Sequence, residues 1–322
     1  MIKATAPGKL MLFGEHAVVH GRPCIATAVD YRISVYVEKR KDDVINLNAP
    51  DMGVKNQKIK LEKLGKIDDR KSCFVLCAVK NFFEKFNVKN GLNIKTKSEF
   101  SCEYGLGSSS AVTVCTIGAL ARLFNINMSK KDIFDLSYKT VLDIQKRGSG
   151  YDIATALYGG TIFFRKGGTV IEKIKTNGIP LIVGYTGIKA DTAKLVKFVE
   201  EKEKRYPELM NPVFDLVEII VLEAKKYIEN KDFDRLGGLM NFNHGLLAAT
   251  GVSSKELEKL IFAARNAGAA GAKLSGAGGG DCMIAIANGN ARRKVEQAIR
   301  KAGGKVLEVR TNADGLIVEP KG

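Results

Sequence analysis

The sequence lacks several features on which whole classes of protein depend. It has no tryptophan and only six cysteines in 322 residues, of which Cys73 and Cys77 alone lie close together. No second cysteine pair completes a zinc site, and a chain of this length can bury enough surface to fold without disulfides. No uncharged apolar run is long enough to span a bilayer, and no signal-peptide segment opens the chain. These absences predict a cytoplasmic protein with reduced thiols and no membrane partner.

The basic excess suggests a nucleic-acid partner at first sight. Lysine and arginine number 51 against 35 acidic residues, which gives a formal net charge of +16 at pH 7. The basic residues are spread along the chain beside acidic ones, however, and no stretch interleaves them with aromatic side chains. This pattern favours a solvated basic surface over a nucleic-acid footprint. A positive field can also attract a small anionic substrate.

Hydrophobic periodicity predicts a mixed chain, with strand-rich sequence first and helix-rich sequence later. The elements predicted in the first half are strands over 9–13, 25–37 and 91–97 and helices over 73–86, 111–123 and 129–145. Ser129 and Asp132 have the spacing of a capping box at a helix start, and so do Ser253 and Glu256. The composition shifts near residues 165–185, which is where we place the boundary between two domains.

Three glycine-rich stretches are the main functional signal, at 105–110, 148–152 and 276–280. The first precedes a helix of small residues and contains Gly105, Leu106, Gly107, Ser108, Ser109 and Ser110. Glycine lets the backbone approach a phosphate closely, and the N–H groups at a helix start favour anions. The stretch has neither the Lys-Ser/Thr ending of a P-loop nor the third glycine of a dinucleotide fingerprint. Taken alone, it fits an anion site or an ordinary tight turn about equally well.

The order of the motifs favours the functional interpretation. Residues 7–19, the loop 105–110, Asp152 and the run 273–280 follow one another as in the GHMP kinase superfamily, which the sequence resembles over nearly its whole length. Within that superfamily, residues 12–21 resemble the mevalonate kinases. The runs 243–247 and 251–253 are similar to the compact archaeal-type enzymes.

The resemblance implies a two-domain α+β fold with the active site in the cleft between the domains. An S5-like N-terminal domain would cover residues 1–170, and a ferredoxin-like C-terminal domain would cover residues 171–322. The implied reaction transfers the γ-phosphoryl group of ATP to mevalonate, with Mg²⁺ as the metal. Phosphoryl transfer depends mainly on positioning and on charge neutralisation.

The resemblance also assigns roles to individual residues. Asp152 matches the aspartate that orients or deprotonates the acceptor hydroxyl, and Lys9 matches the lysine that pairs with it. Ser109 matches the serine associated with Mg²⁺, within an ATP-binding loop over 105–110. The residues expected to contact the acceptor are Glu15, His16, Gly276, Ala277 and Gly278. We expect structural roles for His20 and His244.

Some features depart from the mevalonate kinase pattern. The place of the usual Mg²⁺-binding glutamate, eleven residues before the catalytic aspartate, is taken by Val141. Asp143 is close in sequence, but a helix turns it about 200° away from that face. It is therefore not assigned as a ligand.

Other features resemble phosphomevalonate kinases, and they keep that activity open as an alternative. These features are Tyr104, residues 148–154, Asp281-Cys282, and the cations Lys146 and Arg147. The two cations could meet a substrate phosphate, or they could merely complement the dipole at a helix end. An inactive S5-like nucleic-acid-binding protein is the alternative from a different class. A homodimer is possible.

Overall fold

A computed structural model of the protein describes residues 1–65, 69 and 71–319. The strands are β1 (Ile2–Phe13), β2 (Cys24–Lys39), β3 (Val44–Ala49), β4 (Val54–Lys60), β5 (Leu92–Ser98), β6 (Thr161–Arg165), β7 (Val170–Ile174), β8 (Leu181–Tyr185), β9 (Gly271–Ser275), β10 (Cys282–Ile286), β11 (Lys305–Leu307) and β12 (Ile317–Val318). The α-helices are α1 (Cys73–Phe86), α2 (Ser108–Leu123), α3 (Lys130–Gln145), α4 (Tyr151–Tyr158), α5 (Thr192–Arg205), α6 (Pro207–Glu229), α7 (Phe233–Thr250), α8 (Lys255–Asn266) and α9 (Gly289–Lys301).

The larger of two sheets is organised around the long strand β2. Its strands run in the order β12-β1-β2-β5-β3-β4, and the start of β2 also pairs with β6, which in turn pairs with β7. Every pairing is antiparallel except the one between β3 and β5. Because β12 pairs with β1, the end of the described chain returns to the sheet in which the chain begins.

Helices α1 to α4 pack together beside this sheet, and α2 contacts both β1 and β2. Small side chains allow this close approach. A Cβ atom at Gly118 of α2 would lie 2.8 Å from the side chain of Leu316. The last described segment of the chain therefore packs tightly across the helix, which is buried along most of its length.

The second sheet has the order β11-β8-β10-β9 and is wholly antiparallel. Helices α7 and α8 pack on β9, and α9 packs on β8 and β11. Helix α6 packs on α7 and also touches β1 and β2, so it links the first sheet to a helix that covers the second. Within the residues described, no helix is both long and apolar enough to cross a bilayer.

The predicted α+β class is confirmed, and the helix expected over 73–86 is α1 itself. The capping box at Ser129 is also present, with the Asp132 carboxylate accepting a hydrogen bond from the Ser129 backbone N–H. The second predicted cap is wrong by one residue, because Ser254 caps α8 by accepting from the Leu257 N–H. The domain division at 170/171 stays a prediction.

Candidate active site

The three glycine-rich stretches meet at one cleft between the two sheets. The first leads into α2, the second leads into α4, and the third joins β9 to β10. Together they line a cavity of about 380 Å³. The predicted site residues that line it are Lys9, His16, Gly105, Gly107, Ser108, Ser109, Ser110, Arg147, Asp152, Gly276 and Ala277.

Lys9 and Asp152 form the ion pair that the sequence analysis expected. The Lys9 Nζ lies 3.0 Å from Asp152 Oδ1 and donates a hydrogen bond of 3.0 Å to the Tyr151 hydroxyl. Lys9 is buried, whereas the Asp152 side chain is 31% exposed and faces the cleft. The buried lysine therefore holds the Asp152 carboxylate in position while the exposed part of that carboxylate stays accessible to a ligand.

The charge state of this cluster follows from its contacts. Burial alone would lower the pKa of Lys9, but Asp152 and Tyr151 outweigh that effect, so the pKa is raised. Burial, together with the nearby Asp152, raises the pKa of Tyr151. At neutral pH the site therefore holds a charged lysine and a protonated phenol.

The first glycine loop is built to hold an anion. Gly107 has φ 78° and precedes α2, and no side chain caps that helix, so the first N–H groups of α2 remain available to a ligand. The loop is tied to β1 by a hydrogen bond of 2.9 Å from the Lys9 N–H to the Leu106 carbonyl. A Cβ atom at Gly107 would lie 3.0 Å from the Lys9 side chain. Glycine suits this position, because φ is positive and a Cβ atom would press against Lys9.

Glu15 does not line the cleft as expected. Its carboxylate is buried and forms an ion pair with Lys273 of β9, with both side chains fully removed from solvent. Burial raises the pKa of Glu15 and lowers that of Lys273, each against the pull of its partner. The pair joins the turn after β1 to the second sheet. Glu15 therefore stabilises the arrangement of the elements that form the cleft instead of facing the cavity.

His16 lines the cleft and ties the same turn to the third glycine loop. Its Nε2 lies 2.9 Å from the Ala277 carbonyl oxygen, an arrangement in which the ring N–H donates. Burial lowers the pKa of His16 to about 4, so the ring is neutral at physiological pH. The backbone of His16 has φ 60° and ψ −48°, outside the left-handed helical region, and the Ala17 N–H donates to the Glu15 carbonyl across it as in a strained γ-turn.

Three other predicted residues lie outside the cavity. The Leu106 side chain is buried in the core, and only its backbone contributes to the loop. Gly278 lies against Val252, where a Cβ atom would come within 2.2 Å of the Val252 carbonyl oxygen.

Lys146 turns away from the cleft and donates to the Asp143 carbonyl oxygen at the end of α3. Arg147 reaches the cleft edge but is paired with Glu200 of α5.

The residues for a metal ion are few. Val141 lines the cavity at the place of the expected glutamate, while Asp143 pairs with Lys139 and Asn81 on another face of α3. In the part of the chain that the structure describes, no three acidic, histidine or cysteine side chains group into a metal site. The cavity lining contains the carboxylates of Asp152, paired with Lys9, and Asp281, paired with Lys189, and the Ser109 side chain. This set suits Mg²⁺, which binds through one or two carboxylates and substrate phosphates.

Sequence reasoning missed three contacts at this site. Tyr151 lies in a predicted glycine-rich stretch but has no role in the prediction, and Lys189, which also lines the cavity, lies in no motif. Lys273 stands alone among the apolar and small residues of β9, and a single charge in a buried strand was the signal that could have marked a buried ion pair.

Comparisons with known proteins agree with this geometry. The family described as GHMP kinases N terminal domain matches residues 74–160, and GHMP kinases C terminal matches residues 224–305. The mevalonate kinase of Pyrococcus furiosus is 40% identical, with 98% of each chain covered. That of Methanothermobacter thermautotrophicus is 34% identical, with 88% of this chain and 89% of the relative covered. The crystal structure of Methanococcus jannaschii mevalonate kinase is 28% identical with a TM-score of 0.80, covering 96% of this chain and 97% of that one.

The buried ion pair generates a stability prediction. Lys273→Met should lower the free energy of unfolding by about 3–5 kcal/mol, because Glu15 would stay buried without its counter-ion. Adding Glu15→Gln should recover part of the loss. Urea denaturation measures both effects. In the exposed Lys131–Asp135 pair, Lys131→Met should cost less than about 1 kcal/mol. Equal costs for the two lysine substitutions would contradict the role of the buried pair.

His16 generates a prediction about acid. Its pKa is lower in the folded protein than in the unfolded chain, so the unfolded chain takes up the proton first. The contribution of His16 to the free energy of unfolding is therefore fully present above pH 6.5. It is lost as the pH drops toward 4, by about 3 kcal/mol in total.

Urea denaturation at several pH values, compared between wild type and His16→Asn, measures that contribution. Asparagine does not titrate and retains an N–H donor. His20 and His244 also have pKa values lowered by burial and remain in both proteins. An unchanged pH dependence in the variant would show that His16 is not the responsible group.

Proposed function

The chain belongs to the GHMP kinase family and, within it, to the mevalonate kinases, and from this premise we propose that it transfers the γ-phosphoryl group of ATP to the primary hydroxyl of mevalonate. The observation that carries this proposal is the pairing of Lys9 with a cleft-facing Asp152 beside the start of α2. A carboxylate that can accept a proton thus lies next to a site for phosphate.

ATP fits the cleft and an apolar pocket adjoining it. This second cavity, of about 170 Å³, shares Ser108 and Ser109 with the cleft. Its apolar walls are formed by Ile33, Leu47, Ala49, Met52, Phe74, Val75, Phe100 and Val112. We place the adenine ring there, because the polyphosphate can then run past the serines to the start of α2.

The chemical step needs one proton acceptor and one electrostatic anchor. The mevalonate hydroxyl gives its proton to Asp152 while its oxygen bonds to the γ-phosphorus. The bond from that phosphorus to the bridging oxygen of ADP breaks, and ADP leaves with the electron pair. Lys9 stabilises the negative charge on Asp152 beforehand and the developing charge on the attacking oxygen during transfer.

Mg²⁺ completes the proposal as a partner of the nucleotide. The Ser109 hydroxyl is the protein group that would hold it, with the phosphates supplying further oxygens. When bound, the ion neutralises charge on the phosphates.

The placement of the two cations predicted to meet a substrate phosphate disfavours phosphomevalonate as acceptor. Its extra phosphate adds about two negative charges and needs free cations nearby. Lys146 faces away from the cleft, and Arg147 is already paired with Glu200. Phosphomevalonate kinase from Streptococcus pneumoniae is 18% identical with a TM-score of 0.81, a likeness that extends to the fold alone.

Location and assembly complete the proposal. We propose a cytoplasmic protein, since Cys24, Cys115 and Cys282 are buried thiols of the kind that a reducing compartment preserves. A homodimer would form most readily along α6. Its exposed apolar side chains recur along one side of the helix, at Leu209, Leu216, Ile219 and Leu222.

The acceptor test decides the proposed function. Purified protein with ATP and Mg²⁺ should consume ATP when mevalonate is supplied, and should turn over phosphomevalonate far more slowly in kcat/KM. Lys146→Ala removes a cation outside the cleft and should leave kcat/KM for mevalonate unchanged. Turnover of phosphomevalonate alone would contradict the choice of acceptor while leaving a kinase.

The proton acceptor has its own test. Asp152→Asn keeps the size of the side chain but removes its basicity, so kcat should fall by about 10²–10⁴-fold while ATP binding persists. Asp143→Asn is the matched control, because it removes a carboxylate from the neighbouring helix that does not face the cleft. Steady-state kinetics with mevalonate compare the two. Near-normal turnover by the Asp152 variant would remove this residue from the mechanism.

A further inference from the structure

A second lysine, which no motif marks, lines the cleft together with Lys9. Lys189 belongs to the loop between β8 and α5, and it lines the same cavity as Ser108, Ser109 and Asp152. Its Nζ lies 3.1 Å and 3.3 Å from the two carboxylate oxygens of Asp281. The side chain remains 46% exposed, so solvent or a ligand can reach it.

Asp281 is itself held rigidly. Its N–H donates to the Ile188 carbonyl at 2.7 Å, and its carbonyl accepts from the Thr186 N–H at 2.9 Å. Its Oδ1 also accepts from the Ala190 N–H at 3.0 Å, and the residue is only 7% exposed. The carboxylate therefore stays in place whether or not Lys189 contacts it.

The same carboxylate touches the first glycine loop. A Cβ atom at Gly105 would lie 2.4 Å from Asp281 Oδ2, so the loop passes directly over it. Asp281 thus holds Lys189 beside the residues that lead into α2. An ammonium group has three N–H donors, and two carboxylate oxygens leave one of them free to face the cleft.

The other cations of the cleft are already committed. Lys9 is buried and donates to Tyr151 while paired with Asp152, and Arg147 is paired with Glu200. The glutamate that would bring a metal ion is replaced by Val141. Lys189 differs from both cations in the position of its partner, because Asp281 lies directly against the first glycine loop, where a polyphosphate would lie.

We propose that Lys189 binds the polyphosphate of the nucleotide and that Asp281 is its positioning residue. This inference rests on the proposed function for the identity of the nucleotide. The ligand is recognised by charge, because an ammonium group pairs with phosphate oxygens as a point charge. If Lys189 contacts the terminal phosphates, removing its charge should weaken the binding of ATP more than the binding of a nucleotide with fewer phosphates.

Nucleotide titrations followed by calorimetry test this without requiring turnover. In Lys189→Met the Kd for ATP should rise about tenfold, which is about 1.4 kcal/mol, and the Kd for AMP should stay unchanged. Lys189→Arg should keep most of the affinity for ATP. Lys197→Met is the matched control, because Lys197 lies on the exposed surface of α5 and pairs with Glu201. An unchanged Kd for ATP in Lys189→Met, or an equal loss for AMP, would overturn the proposal.

The role of Asp281 is tested by a double-mutant cycle. Asp281→Asn keeps the lysine but loosens it, so the Kd for ATP should rise less than in Lys189→Met. The double variant should bind ATP no more weakly than Lys189→Met alone, because the carboxylate acts through the lysine. Additive losses would overturn the positioning role. Failure of the wild-type protein to bind ATP would instead contradict the proposed function.

Discussion

The buried ion pair between Glu15 and Lys273 is the interaction on which the cleft depends. It joins the turn after β1 to β9, across the two sheets, and both side chains are fully buried. Two neighbouring contacts repeat the connection: His16 to the Ala277 carbonyl, and the Ser275 hydroxyl to the Met11 carbonyl. A buried ion pair contributes little net stability compared with apolar packing, yet breaking it is costly. Its value here is geometric, because it fixes the third glycine loop relative to the strand that carries Lys9.

The same strand connects this joint to the chemistry. β1 carries Lys9 near its middle and ends immediately before the turn that contains Glu15. A register shift in the β1–β2 pairing occurs between Pro7 and Gly8, and the Lys9 N–H bonds to the first glycine loop. Irregular strand pairing of this kind redirects a side chain at functional sites. One strand thus sets the positions of the lysine and of two glycine loops.

Local signals allowed much of the fold to be predicted from the sequence, whereas side-chain direction at the site was not predictable. Helix α1 and the capping box at Ser129 follow from short-range periodicity and spacing. The direction of the Glu15 side chain depends on a partner 258 residues away, which no local pattern encodes. The sequence also could not distinguish between adjacent residues with similar side chains. Ser254 rather than Ser253 caps α8, and Arg147 but not Lys146 reaches the cleft. Motif order located the site, while long-range packing decided which members face it.

Each of the two cleft lysines is held in position by a carboxylate. Lys9 is held by Asp152 and Tyr151, and Lys189 is held by Asp281. Immobilising a free lysine side chain costs up to about 2 kcal/mol of conformational entropy. Carboxylates already restrain both lysine side chains in the folded protein. Their conformational entropy is therefore lost on folding and not on ligand binding. The carboxylates also moderate the positive charge of the site, so that a basic chain can present its cations at defined points rather than as a diffuse field.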